Sequence, residues 1–97
     1  MREGEIQRNI IEYLKLAGYL VFRMNAGKAR SNISLAPAGT PDILAVGREG
    51  ETVWVECKTA KGRANKEQLR MHGELMSRGH TVTIARCVED VKEVIDD

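Results

Sequence analysis

Ninety-seven residues, 42% hydrophobic and 30% charged, have the balance of a single soluble globular domain spanning 1–97, which excludes a multidomain assembly. No apolar run approaches the roughly 18 residues of a membrane span, and no apolar stretch follows the charges of Met1-Arg2-Glu3-Gly4-Glu5, so the expected setting is the cytoplasm, away from membranes. The formal charge of +1 hides a basic middle, with ten Lys and Arg against five acids from Tyr13 to Arg70, and an acidic tail from Glu89 to Asp97. Such a middle suits phosphate partners, and equally an ordinary solvated face.

Ile6, Ile10, Tyr13, Leu14 and Ala17 recur at helical spacing, which predicts a helix over Glu3 to Ala17 that Gly18 stops. Tyr19-Leu20-Val21-Phe22 is a short run of β-formers and predicts a strand. Asn25 to Thr40 has little periodicity and reads as a loop, long enough to be functional or disordered. Ile43–Val46 and Thr52–Val55 form a hairpin about Gly47-Arg48-Glu49-Gly50, with a left-handed residue near Gly50. After the basic loop Lys61-Gly62-Arg63-Ala64, Asn65 is placed to cap a helix carrying Gln68, Leu69, His72, Leu75 and Met76, which Gly79 ends. A fourth strand from Thr81 to Cys87 and a last helix through Val88, Val91, Val94 and Ile95 complete the order α-β-β-β-α-β-α. The helix before strand four is a crossover, so the fold class is α/β with a four-stranded mixed sheet. Strands two and three are apolar on both faces, which predicts helices on both sides. Cys57 and Cys87, in apolar strand-like surroundings without paired spacing, read as buried free thiols.

A hairpin folded about Glu49 sets Asp42 opposite Glu56, where paired Cβ atoms lie about 4.5–5.5 Å apart. Two like charges amid Ile43, Leu44, Val53 and Val55 are explained by a divalent cation between them. Lys58 stands on the same strand face as Glu56, two residues on. Hard oxygen ligands, an ammonium and basic surroundings suit hydrolysis of a phosphodiester with Mg²⁺ or Mn²⁺. The Cys57 carbonyl is a candidate further ligand, and Gln68 is in reach of the lysine or the attacking water.

Pro41-Asp42 followed by Glu56-Cys57-Lys58 resembles the P-D…(D/E)-x-K signature of restriction-endonuclease-like nucleases, whose α-β-β-β-α-β core has the same element order. Adding Glu5, Arg23-Met24-Asn25-Ala26-Gly27, Gly39-Thr40-Pro41-Asp42 and Gln68, the chain resembles the VRR-NUC family, in its stand-alone phage form, from Glu5 to about Gly79. The resemblance implies a metal-dependent DNA endonuclease akin to Holliday-junction resolvases, a homodimer acting on branched DNA, in the host cytoplasm if phage-encoded, with no organic cofactor. It implies that Asp42 and Glu56 bind metal, that Lys58 is catalytic and Gln68 supports it, and that Glu5 reaches the metal directly or through water.

Structural readings stand beside these. Glu5 suits a first helical turn by charge, Gln68 suits a capping box with Asn65, and Lys58 suits a simple ion pair with Glu56. His72 and His80 read as structural, and Trp54 and Tyr13 as core residues. Arg23, Asn25, Lys28, Arg30, Lys61 and Arg63 flank the site as candidate nucleic-acid contacts. Other functions fit the same residues: a catalytically silent DNA-binding module, and an RNase or a nuclease subunit that acts only beside a partner.

Overall fold

In the computed structural model, which describes residues 1–24 and 36–95, the elements follow the expected order. They are α1 (Glu3–Leu16), β1 (Leu20–Arg23), β2 (Ile43–Val46), β3 (Thr52–Cys57), α2 (Lys66–Ser77), β4 (Thr81–Ala85) and α3 (Val88–Ile95). The strands lie side by side as β1-β2-β3-β4, with β2 antiparallel to both β1 and β3 and β4 parallel to β3. The sheet is mixed because α2 carries the chain back before β4 begins. Among the described residues no helix is long and apolar enough to cross a membrane.

Alternation along the strands separates two faces. On one, Ile43, Ala45, Val53, Val55, Cys57 and Ala85 pack with Ile6, Ile10 and Leu14 of α1 and Val91 of α3. This is the core, and each large side chain fully buried in it contributes roughly 1.5–3 kcal/mol. The other face carries the row Phe22, Leu44, Trp54 and Val82 across all four strands. Here the expectation of helices on both sides is met only in part. α2 packs against β4, while on β1 Leu20 stays 66% and Phe22 49% exposed. One helix of 12 residues does not span four strands.

Strand four is shorter than expected, and Cys87 is exposed rather than buried, a correction to the reading of both cysteines as interior. The Arg86 N–H donates to Asp90 Oδ2 at 2.8 Å instead of extending the ladder, so the chain turns into α3 before Cys87 can face the core. Strand three, in contrast, runs two residues further than the hairpin pattern required and takes Glu56 and Cys57 into the sheet.

Two glycines fix the approach to the hairpin and its turn. Gly50 has φ +86° in open space, as the turn sequence implied. Gly39 has the same φ, but a Cβ there would lie 2.3 Å from the Glu67 carbonyl oxygen, so the segment leading into β2 rests directly on the first turn of α2. We expect Gly50→Ala to cost only the left-handed penalty of roughly 1–2 kcal/mol. Gly39→Ala should cost measurably more in denaturant unfolding, because α2 must move as well.

Candidate active site

The hairpin register is the one its turn dictates. Ile43 pairs with Val55 and Val46 with Thr52, so Asp42, one residue before β2, faces Glu56. The Asp42 Oδ2 accepts the Cys57 N–H at 2.8 Å, which ties the carboxylate to the end of β3. Glu56 is 1% exposed. Burial, the Asp42 charge and a hydrogen bond shared with Asp42 push its carboxyl up from 4.5 to about 8, against a smaller opposing pull from Lys58.

Desolvation and Asp42 thus outweigh the downward pull of Lys58 on Glu56. Cys57 beside them is held as a thiol, pushed up to about 12 by burial and then by Asp42 and Glu56.

The two carboxylate oxygens of Glu56 meet α2. Gln68 Nε2 donates to Oε2 at 3.3 Å, and His72 Nε2 lies 3.3 Å from Oε1. The capping box forms too: Gln68 N–H donates to Asn65 Oδ1, and Asn65 N–H to Gln68 Oε1, both at 2.9 Å. Gln68 therefore holds both roles that the sequence set against each other, since its amide oxygen caps the helix while its nitrogen reaches the carboxylate. Sequence reasoning gave His72 a structural place and missed its contact with Glu56. The signal was there, because His72 follows Gln68 by four residues and so shares its helix face. Burial and Lys58 hold the His72 imidazole below its ordinary value.

Of the expected site residues, the fold brings together Asp42, Glu56, Cys57, Lys58 and Gln68. Glu5 is exposed on the first turn of α1, where its Oε1 accepts the Arg2 N–H at 3.4 Å. The charge from α1 that raises Glu56 is that of Glu3. The Arg23 guanidinium donates to Gln7 Oε1 at 3.3 Å. Lys61 and Arg63 are exposed on a loop pinned from β4, where Arg86 Nη1 donates to the Thr59 carbonyl and, at 2.6 Å, to that of Gly62. Asn25, Lys28 and Arg30 lie outside the described residues. His80 is structural, its Nδ1 2.6 Å from Thr52 Oγ1 and accepting Trp54 Nε1 at 3.4 Å.

Among the described residues no three His, Cys, Asp or Glu side chains converge as for a metal. The fit to a cation rests on Asp42 and Glu56, two hard oxygen donors whose shared proton a divalent ion would replace. Mg²⁺ is commonly held by one or two carboxylates together with water and substrate phosphate.

The sequence profile described as archaeal Holliday junction resolvase (Hjc) matches residues 2–78. The chain belongs to that family. It is thus a resolvase-family chain, of a family of nucleases, and its relatives agree. A protein of Acyrthosiphon pisum secondary endosymbiont phage 1, named "Putative nuclease p44", is 26% identical over 84 residues, covering 87% of this chain and 82% of its own. A solved structure described as a VRR_NUC domain matches with a TM-score of 0.76 and 26% identity, over 97% of this chain and 94% of its own. A second, described as a VRR_NUC domain protein, shares the fold with a TM-score of 0.75 at 20% identity, over 99% and 86%. The resolvase-family chain thus has the VRR-NUC fold that its motifs resemble.

The raised carboxyl has a consequence for stability. Between about pH 4.5 and 8 the folded chain holds a proton on Glu56 that the unfolded chain has lost. The stabilisation is fully present below about 4.5 and disappears as pH rises through about 8. Metal-free protein should therefore lose up to about 1.4 kcal/mol per pH unit across that window. Urea melts at stepped pH will show this slope, and Glu56→Gln should flatten it.

Proposed function

We propose that this chain is a metal-dependent DNA endonuclease that cuts branched DNA, four-way junctions above all. The observation that carries the reading is the buried Glu56 facing the half-buried Asp42 at the strand ends, with Lys58 beside them. A structural role for two facing acids is disfavoured, since each raises the energy of the other in a desolvated site. Family membership supports the junction as substrate.

In this reading Asp42, Glu56 and the Cys57 carbonyl hold Mg²⁺ or Mn²⁺, with first-turn acids of α1 nearby. Glu5 can act there only by turning from Arg2, whereas Glu3 already bears on Glu56. When bound, the ion would lower the pKa of water and neutralise charge on the phosphoryl oxygens. Lys58, on the same strand face as Glu56, supplies a mobile ammonium that can donate to a non-bridging phosphate oxygen and so stabilise the charge that develops there. Gln68 keeps its nitrogen on Glu56 because its oxygen is committed to the cap. Arg23, Lys61 and Arg63, with Asn25, Lys28 and Arg30, contribute phosphate contacts that fix the backbone without reading bases.

Resolving a junction takes two symmetric cuts, and a chain with one site makes them as a two-fold dimer. The exposed Leu20 and Phe22 of the edge strand, on the sheet face that also carries Glu56, support a second copy docking there.

Labelled four-way junction, flap, duplex and single-stranded DNA, each with Mg²⁺, Mn²⁺ or EDTA, test the reading. Cleavage should need metal, favour the junction, and fall on the order of 10²–10³-fold in Lys58→Ala. Glu56→Gln should lose at least as much, while Glu93→Ala stays near wild type. Tight junction binding without cleavage in any metal would leave a silent binding module or a subunit lacking its partner. For the dimer, light scattering of Phe22→Glu should give half the wild-type mass, and a wild-type monomer at working concentration would remove the dimer from the scheme.

A further inference from the structure

α2 buries a polar side chain and exposes apolar ones. His72 is 4% exposed and is the one buried residue of the helix, whereas Leu69 and Met76 on the same helix are 55% and 54% exposed. If the position served only to fill space, a leucine or methionine would fill it without desolvating an imidazole. The imidazole must instead be valued for its hydrogen bond. It points at one atom, Glu56 Oε1, at 3.3 Å.

Gln68 holds the other oxygen, and the two side chains stand one helical turn apart, so the carboxylate is gripped at both ends by a single rigid element. That element is itself fixed in place. Its first turn carries the capping box, and the Glu67 carbonyl lies against the backbone of Gly39, three residues ahead of Asp42. The grip therefore fixes Glu56 relative to the segment that carries its partner acid.

We infer that His72 is a positioning residue: its imidazole holds the Glu56 carboxylate turned toward Asp42 and so sets the affinity of the pair for a divalent cation. It touches neither substrate nor reacting atoms. The inference rests on the reading of Asp42 and Glu56 as metal ligands. Outer partners of this kind typically change metal affinity by 10–100-fold when removed.

The experiment is a calorimetric titration of Mn²⁺ into DNA-free protein, in wild type, His72→Leu, His72→Gln and Glu56→Gln, with thermal melts of each. His72→Leu should melt no lower than wild type in the absence of metal, because it fills the space with apolar volume, yet bind Mn²⁺ about 10–100-fold more weakly. His72→Gln, which restores an N–H donor, should recover most of the affinity. In cleavage assays the metal concentration for half-maximal rate should rise in step for His72→Leu, with the rate at saturating metal much less affected. If His72→Leu binds Mn²⁺ within twofold of wild type while Glu56→Gln does not bind, His72 is packing only and the inference fails while the ligand reading stands. If wild type itself binds no Mn²⁺, both fail together. Should His72→Leu not fold, His72→Met carries the same comparison.

Discussion

The sharpest departure from ordinary α/β packing in this molecule is one unfavourable interaction, a buried glutamate facing an aspartate. Glu56 lies at the end of β3 with its carboxyl pushed up to about 8, chiefly by loss of water and then by Asp42. A sequence under no demand but stability would place an apolar residue there, as it does at Val53 and Val55 on the same strand. The neighbouring elements instead serve to hold the acid. The hairpin sets its partner opposite, the cap of α2 aims Gln68 at it, and a glycine at position 39 lets the incoming segment rest on that cap. A local conflict that the rest of the fold is built to sustain is the usual mark of a functional position.

How much of this the sequence disclosed follows from which constraints are local. The register of Asp42 against Glu56 was legible because a four-residue turn with glycines at both ends leaves little freedom in the pairing. The Asn65-x-x-Gln68 cap was legible because capping is set by spacing along one helix. Contacts between distant elements were not. Periodicity states that Gln68 and His72 share a helix face, yet it does not say which strand residue that face meets. The same reason hid Arg86, whose guanidinium ties β4 to the loop after Lys58, and misjudged Cys87, since the strand ends where Asp90 competes for the Arg86 N–H.

The partly uncovered sheet has a related origin. Apolar residues on both faces of β2 and β3 imply that water is excluded from both, but they do not say by what. α1 and α3 bury the inward side chains of β2 and β3 on one face. On the other, α2 sits over the β4 side, leaving Leu20 and Phe22 of the edge strand in solvent. An edge strand with exposed apolar side chains invites association unless something covers it. The sequence pattern thus fits a face whose remaining cover comes from outside the described residues.

The opposed tendencies at Glu56 also explain why Lys58 stands where it does. A cation closer to Glu56 would relax the acid pair, lower its carboxyl toward the ordinary range and make the metal-free protein more stable. It would also tie up the ammonium in an ion pair and lessen what a divalent ion gains by binding. Lys58 pulls Glu56 downward, but less strongly than burial and Asp42 push it up. The lysine thus bears on the acid pair without satisfying it. In the proposed scheme stability and function would make opposite demands on its distance from Glu56, because the contact that relaxed the acid would also occupy the ammonium.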